Sequence, residues 1–297
     1  MFDKYIQFKR EREIGEILSD TFKFIRENIK PLFKILTKTA GVPFIILVFA
    51  ITYYSYTTGK QSFDLMSILN DSQQVSDGIL DFYFSIFLGA IIMLIASAVF
   101  YAFLVSTIHY AVKSYMKNEG TILIEEVSLD VKQNWLNYLG MSFIIGVLTF
   151  IGIMLCFLPG IYIGVVLTLM YSIYAFNNLS IGESFSYSFQ LIKSNWWMSF
   201  FAMLITYILV YILSLIFQLP AIIYMFVKGF AISQEGSLSD PSSFFDWGYV
   251  ILTAVSSIGQ YLFYIIFIVA CIFIYFNLNE KKNQTGTYDE INSLGNR

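Results

Sequence analysis

The sequence predicts an all-α polytopic membrane protein with six transmembrane helices and two or three amphipathic helices at the cytoplasmic interface. Its first basis is a run of fifty residues, 133–182, without an Asp, Glu, Lys or Arg. As a single helix this run would be about 75 Å long at about 1.5 Å per residue. The hydrocarbon core of a bilayer is only about 30 Å thick, so the run must cross it twice.

Composition is the second basis. The mean hydropathy is +0.66 and charged residues make up 13% of the chain, whereas soluble domains usually carry about 25%. Four further charge-free stretches supply the remaining spans: 39–59, 82–112, 194–227 and 247–279. Pro159-Gly160, near the middle of the long run, predicts the turn between the third and fourth spans. Cys156 and Cys271 lie in apolar runs, so we expect buried thiols and no disulfide or metal site.

The distribution of Lys and Arg predicts the orientation of the chain. Sixteen of the 18 basic residues lie on the side of the two termini, and only Lys60 and Lys228 lie in the opposite connections, 60–81 and 228–246. Cytoplasmic loops accumulate Lys and Arg, so both termini are expected in the cytoplasm. The charged start of the chain has no apolar segment typical of a signal peptide, and the first span is expected to act as its own signal.

A repeat links residues 14–28 and 181–195 at a constant offset of 167. Seven pairs are identical: Ile14/Ile181, Gly15/Gly182, Glu16/Glu183, Ser19/Ser186, Phe22/Phe189, Ile25/Ile192 and Asn28/Asn195. In the first copy the apolar side chains share one helical face, which is typical of a helix lying in the membrane interface. The match indicates either a common structural role or a true internal duplication.

A weaker third copy falls at 122–135, where Lys132-Gln-Asn134-Trp135 resembles Lys193-Ser-Asn195-Trp196. In each copy an Asn precedes a span, where its side chain can accept a hydrogen bond from the start of a helix. We therefore predict one membrane domain, 1–282, followed by a cytoplasmic tail, 283–297. The domain would comprise three modules, each an interfacial helix and a transmembrane hairpin, at about 10–117, 118–178 and 179–282.

Small residues predict where helices touch. Ser142 with Gly146, and Gly160 with Gly164, form small-x-x-x-small pairs that permit close approach of two backbones. Together with Pro159 at the predicted turn, these residues are expected to pack one hairpin. A dimerisation face is the less favoured interpretation.

The spans offer little chemistry. None of them carries Asp, Glu, Lys or Arg at its core, and such groups usually mark proton relays and ion-coupled transport. His109, the only histidine, is expected to be a hydrogen-bonded boundary residue, with a proton carrier as the alternative. Gln218, and Gln260 beside Ser256, are expected to form interhelical hydrogen bonds, with a polar cavity as the alternative. We expect no catalytic activity, cofactor, metal or nucleic-acid partner.

The passages LPGIYIG and FNNLSIGESFSYSFQLIKSNWW, at 158–164 and 176–197, resemble the signature of a broad family of bacterial six-span proteins. This family includes the membrane domain attached to some glycerophosphoryl diester phosphodiesterases. The segments REREIGEILSDTFKFI and YFNLNEKKNQTG are similar to Bacteroidetes-type versions. The resemblance implies the six-span topology and a location in the bacterial cytoplasmic membrane. It implies no phosphodiesterase activity, because the catalytic domain is absent from this sequence.

These observations favour a non-catalytic scaffold or accessory protein that binds membrane lipids, a membrane-protein partner or both. The alternative is a small transporter or a lipid-translocating protein, because internal repeats are common in transporters. The lack of charged groups within the spans argues against coupling to ions.

Overall fold

The computed structural model describes residues 5–69, 75–234, 246–288 and 291. Within these ranges every regular element is an α-helix and no strand is present. The helices are α1 (Ile14–Leu69), α2 (Val75–Lys117), α3 (Ile124–Leu155), α4 (Phe157–Thr168), α5 (Met170–Asn177), α6 (Ile181–Ile192), α7 (Trp196–Gln234) and α8 (Trp247–Asn283).

Six of these helical segments are long and apolar enough to cross a membrane, with α4 and α5 together forming one of them. Many of their large apolar side chains are exposed, as expected for surfaces that face lipid instead of water, although the last span, in α8, is mostly buried. The predicted fold class is therefore confirmed. The acidic connections expected opposite the termini lie largely outside the described residues, at 70–74 and 235–245.

The chain divides into two compact units. Unit 1 comprises Met1–Gly41, Tyr101–Val210 and Tyr264–Arg297, and unit 2 comprises Val42–Phe100 and Tyr211–Phe263. This division groups segments by packing and is not a test of the three predicted modules, which stay a prediction.

Two helices form the core of unit 1. Residues 104–112 of α2 and 268–280 of α8 are buried without interruption, and a helix covered on every side is normally apolar all round. The polar exceptions in α8 have partners within the chain. The Asn277 Oδ1 accepts a hydrogen bond from the backbone N–H of Arg12 at 2.8 Å, and the Glu280 carboxylate accepts one from the N–H of Gly286 at 2.7 Å.

The segment before α1 is packed into this core. The Phe8 ring stacks on Phe273 with centroids 4.6 Å apart. The Arg12 side chain has no exposed surface and donates to the Asp20 carboxylate at 2.8 Å and to the carbonyl of Phe8 at 2.7 Å. Burial lowers the pKa of Arg12, and the hydrogen bond from Arg12 to Asp20 opposes this effect. A buried ion pair thus joins the amino-terminal segment to the first helix.

The turn of the central hairpin lies three residues before the predicted position. Helix α3 ends at Leu155, Cys156 adopts an extended conformation (φ −168°, ψ 138°), and α4 begins at Phe157. Pro159 is therefore the third residue of α4 and not the turn. Proline is tolerated there because the first N–H groups of a helix have no partner within the helix. The Cys156 thiol is exposed, contrary to expectation, whereas the Cys271 thiol is buried.

Glycines bring the two arms of this hairpin together. A Cβ added at Gly160 would lie 2.6 Å from the backbone nitrogen of Ile153, and one added at Gly152 would lie 2.8 Å from the Cα of Gly160. At Gly164 a Cβ would make an ordinary contact, 3.4 Å from the Thr149 side chain. Gly146 differs, because a Cβ there would meet nothing within 4 Å. The structure thus excludes Gly146 from the close contact expected there.

Ser142, the partner of Gly146 in the predicted small-residue pair, lies on the side of α3 that contacts α5. Its hydroxyl is 2.8 Å from the Tyr171 hydroxyl and also donates to the carbonyl of Tyr138 within α3. Ser142 therefore joins α3 to α5 through a hydrogen bond between side chains.

In unit 2, α7 and α8 are joined by a hydrogen bond from the Ser256 hydroxyl to the carbonyl of Phe217 at 2.8 Å. Gln218 and Ser256 also line a cavity of about 470 Å³ whose other walls are largely apolar. Gln218 thus lines a cavity whose character is largely apolar, and Gln260 is exposed. The interhelical hydrogen bond here is made by Ser256, and the bonds expected from the two glutamines stay a prediction.

Candidate functional site

The part of α1 that belongs to unit 1 buries one narrow face of the helix. The buried side chains recur every three or four residues, as one face of an α-helix requires. They are Ile17, Thr21, Phe24, Asn28, Leu32 and Ile35. The sequence predicts an apolar face of Ile14, Ile17, Leu18, Thr21, Phe22, Ile25 and Ile29. Phe24 lies outside this set although it is fully buried, and Phe22 is 39% exposed.

Helix α6 buries the same register. Its buried positions are Ser184, Ser188, Leu191 and Ile192. The first three lie 167 residues after buried positions of α1, whereas Ile25, the counterpart of Ile192, is half-buried. In both segments the helix is interrupted near the repeated Asn. Helix α1 has a kink at Asn28, where φ is −111° and ψ is 15°, and α6 ends three residues before Asn195.

The repeated glutamates have the same local role in both segments. The Glu183 carboxylate accepts hydrogen bonds from the Ser180 hydroxyl at 2.7 Å and from the N–H of Ser180 at 2.8 Å, and both bonds lower the pKa of Glu183. The Glu16 carboxylate accepts one from the N–H of Glu13 at 3.0 Å. Both backbone N–H bonds satisfy a donor at the start of a helix, as in half of a capping box.

The remaining repeat residues occupy several environments. Gly15, Glu16, Ser19, Gly182, Glu183 and Ser186 are exposed, Ile25, Phe189 and Asn195 are half-buried, and Ile192 is buried. The expected capping by Asn is wrong at two positions, because the side-chain amides of Asn28 and Asn134 donate to carbonyls four residues earlier. At the third copy α3 runs unbroken past Asn134, without a separate interfacial helix.

The exposed surface of α1 has two rows with different chemistry. An apolar row consists of Phe22, Ile29 and Phe33, the last two 59% and 60% exposed. The basic row lies beside it and consists of Lys23, Arg26, Lys30 and Lys34. In the described part of the chain, these four cations make no ion pair or hydrogen bond through their side chains. At the offset of 167, Lys23, Lys30 and Lys34 correspond to Gln190, Trp197 and Phe201, and only Arg26 has a basic counterpart, Lys193. The row of four cations therefore belongs to α1 alone.

A polar cavity of about 230 Å³ lies where α2 ends, α3 begins and α5 ends. Its lining consists of Tyr110, Lys113, Asp130, Asn134, Tyr174, Asn178 and Leu179. Hydrogen bonds hold two walls in place. The Tyr174 hydroxyl donates to the Asn134 Oδ1 at 3.0 Å and accepts from the Asn137 amide at 2.7 Å.

His109 lies in the core of unit 1 and is 2% exposed. One ring nitrogen contacts the carbonyl of Val105 at 2.8 Å, and the other contacts the Ser172 hydroxyl at 3.0 Å. Tyr138, Tyr171 and Phe176 surround the ring. Both nitrogens are thus occupied by neighbours within the chain.

We expect His109→Gln to leave expression and any cellular phenotype of the wild type intact, because glutamine can still hydrogen-bond to Ser172. His109→Leu should instead lower the free energy of unfolding by about 1–3 kcal/mol, since it leaves a buried hydroxyl without its partner. Thermal unfolding in mild detergent measures both variants. Loss of function at normal stability in His109→Gln would make this residue a proton carrier.

An apolar cleft of about 670 Å³ also lies in unit 1. Its lining includes Ile161, Val165, Phe200, Met203 and Leu204, on α4 and α7. Every lining residue belongs to a segment that can cross the membrane. A cleft with such an apolar lining suits acyl chains better than polar ligands.

These features define a multi-pass α-helical membrane protein whose ionisable groups are concentrated near the helix ends. Among the described residues, no three His, Cys, Asp or Glu side chains lie together as a metal site would require. Comparisons with protein families, with curated proteins and with solved structures find no match for this chain.

Proposed function

We propose that the protein is a non-catalytic scaffold of the bacterial cytoplasmic membrane that binds anionic lipids through α1. The observation that carries this proposal is the division of α1 into three faces. One face is buried in unit 1, one is apolar and exposed, and one is a row of cations that have no partner among the described residues. Both exposed rows cross the kink at Asn28. The stretch before the kink suits the plane where acyl chains meet headgroups, and the stretch after it leads from that plane towards the first span.

The two exposed rows act together in such a position. The row of Phe22, Ile29 and Phe33 would enter the acyl boundary, and the basic row would lie at the level of the lipid phosphates. Each Lys or Arg near an anionic surface contributes about 1 kcal/mol of attraction, which decreases with ionic strength. A membrane-protein partner seated on the same surface is the other form of scaffold that the exposed rows support.

Binding of anionic lipid is tested by charge removal. Lys30→Gln combined with Lys34→Gln removes about 2 kcal/mol of attraction, so affinity for phosphatidylglycerol should fall roughly 30-fold at low salt. Native mass spectrometry with defined lipid mixtures measures this change. The matched control is Lys193→Gln with Lys281→Gln, which neutralises two exposed lysines outside the row. Equal lipid binding by the two double variants would refute the proposal.

The proposed orientation places both termini in the cytoplasm, supported by the 16-to-2 division of Lys and Arg and by the resemblance to bacterial six-span proteins. Reporter fusions after Glu119 and Arg297 should be active only as cytoplasmic reporters. Fusions after Asp71 and Glu235 should be active only as periplasmic ones. A periplasmic signal at position 297 would contradict the six-span topology.

The apolar cleft favours a second candidate, a lipid-translocating protein. Proteoliposomes with fluorescent phospholipid in both leaflets distinguish the two, because translocation exposes the inner pool to an impermeant quencher. Rapid loss of more than half the fluorescence would favour translocation. Loss of the outer pool alone, as in protein-free vesicles, would favour the scaffold.

A further inference from the structure

The polar cavity holds a carboxylate without a direct partner among the described residues. Nothing there donates a hydrogen bond to the Asp130 carboxylate or lies in salt-bridge contact with it, and Lys113 and Lys117 attract it only from a longer distance. The neighbouring Glu126 differs, because Lys117, Ser114 and Asn118 all contact its carboxylate. A carboxylate turned into a cavity without a partner suits a ligand that brings its own positive charge.

The lining also supplies a cation, Lys113, that uses only part of its hydrogen-bonding capacity. The Lys113 ammonium donates to the carbonyl of Ala175 at 2.8 Å and to the Asn178 Oδ1 at 3.2 Å. An ammonium has three donors, so one remains for a ligand. Asn178 ends α5 in the left-handed conformation, with φ of 53°, which places its amide oxygen beside Lys113. The lysine is therefore held in position before any ligand arrives.

From this juxtaposition we propose that the cavity binds a zwitterion with a primary ammonium and a phosphate, the chemistry of phosphoethanolamine. The ammonium pairs with Asp130 and the phosphate accepts the free donor of Lys113. A volume of about 230 Å³ corresponds to about eight water-sized groups of about 30 Å³. Phosphoethanolamine has eight heavy atoms and fits that space.

The same geometry excludes a choline group. A trimethylammonium has no N–H to donate to Asp130, and its methyl groups keep the charge farther from the carboxylate. Selection of ethanolamine over choline is therefore the signature of this site. The inference concerns a different surface from the basic row of α1 and does not rest on the lipid binding proposed there.

Native mass spectrometry of the full chain, released from nanodiscs with equal phosphatidylethanolamine, phosphatidylcholine and phosphatidylglycerol, tests the inference. The wild type should retain phosphatidylethanolamine at least tenfold over phosphatidylcholine. Asp130→Asn should abolish this preference, and Lys113→Met should weaken retention of both lipids. Glu125→Gln, which changes an exposed carboxylate on the same helix, is the matched control and should retain the preference.

If the wild type shows no preference between phosphatidylethanolamine and phosphatidylcholine, the inference is overturned. This measurement uses only the wild-type protein and does not depend on the folding of a variant. Asp130→Asn that unfolds at the wild-type temperature yet keeps the preference would overturn it too. Added glycerophosphoethanolamine identifies the source of the zwitterion. Displacement of bound lipid assigns a water-soluble ligand, and no displacement assigns the lipid headgroup. Lys30→Gln with Lys34→Gln should retain the preference for phosphatidylethanolamine. Failure of the proposal for α1 can therefore be distinguished from failure of the proposal for the cavity.

Discussion

Gly160→Ala is expected to destabilise the hairpin of α3 and α4 by about 1–3 kcal/mol, the usual range for overpacking a tight contact. The added Cβ would lie 2.6 Å from the backbone nitrogen of Ile153. A flexible side chain could move away, but a backbone atom moves only if the helices separate. Thermal unfolding in mild detergent measures the effect, and Gly160→Val should be worse.

Gly146→Ala is the matched control on α3. Its Cβ would meet nothing within 4 Å, and replacing a glycine inside a helix by alanine stabilises by up to about 1 kcal/mol. The two variants should therefore shift the unfolding temperature in opposite directions. Equal shifts would mean that the arms of the hairpin do not approach at Gly160.

Asp20→Ala is expected to lower the free energy of unfolding by about 3–5 kcal/mol, because it leaves the Arg12 guanidinium buried without its counter-ion. Arg12 has no exposed side-chain surface, and Asp20 has only 15%. The segment holding Phe8 should detach from the core, since the ion pair joins that segment to α1. Unfolding temperature and protease cleavage near residues 5–12 measure both consequences.

Glu125→Ala gives the matched control, because it removes an exposed ion pair of similar length. The Lys38 ammonium contacts Glu125 at 2.6 Å, but the carboxylate side chain is 84% exposed. Exposed ion pairs typically contribute about 1 kcal/mol or less to the free energy of unfolding. Asp20→Ala that unfolds like Glu125→Ala would show that the amino-terminal segment is not held by the buried pair.

Identity at seven positions predicts two equivalent helices, and three buried positions of α6, Ser184, Ser188 and Leu191, correspond to buried positions of α1. The equivalence of the two segments stays a prediction. The apolar face of the first copy could meet either lipid or protein, and Phe22 on that face is 39% exposed. Hydrophobicity alone does not distinguish the face that meets protein from the face exposed beside it. Only packing against unit 1 identifies Phe24 as the core residue.

By itself, the sequence determined the number of spans and the all-helical class. Long charge-free runs leave no alternative, because hydrocarbon offers no partner for an unpaired backbone N–H or carbonyl and a helix satisfies both internally. Tertiary structure alone decided the turn at Cys156, the buried pair of Arg12 with Asp20, and the cavity that joins Lys113 with Asp130. These features depend on contacts between helices, which the order of residues along one helix does not encode.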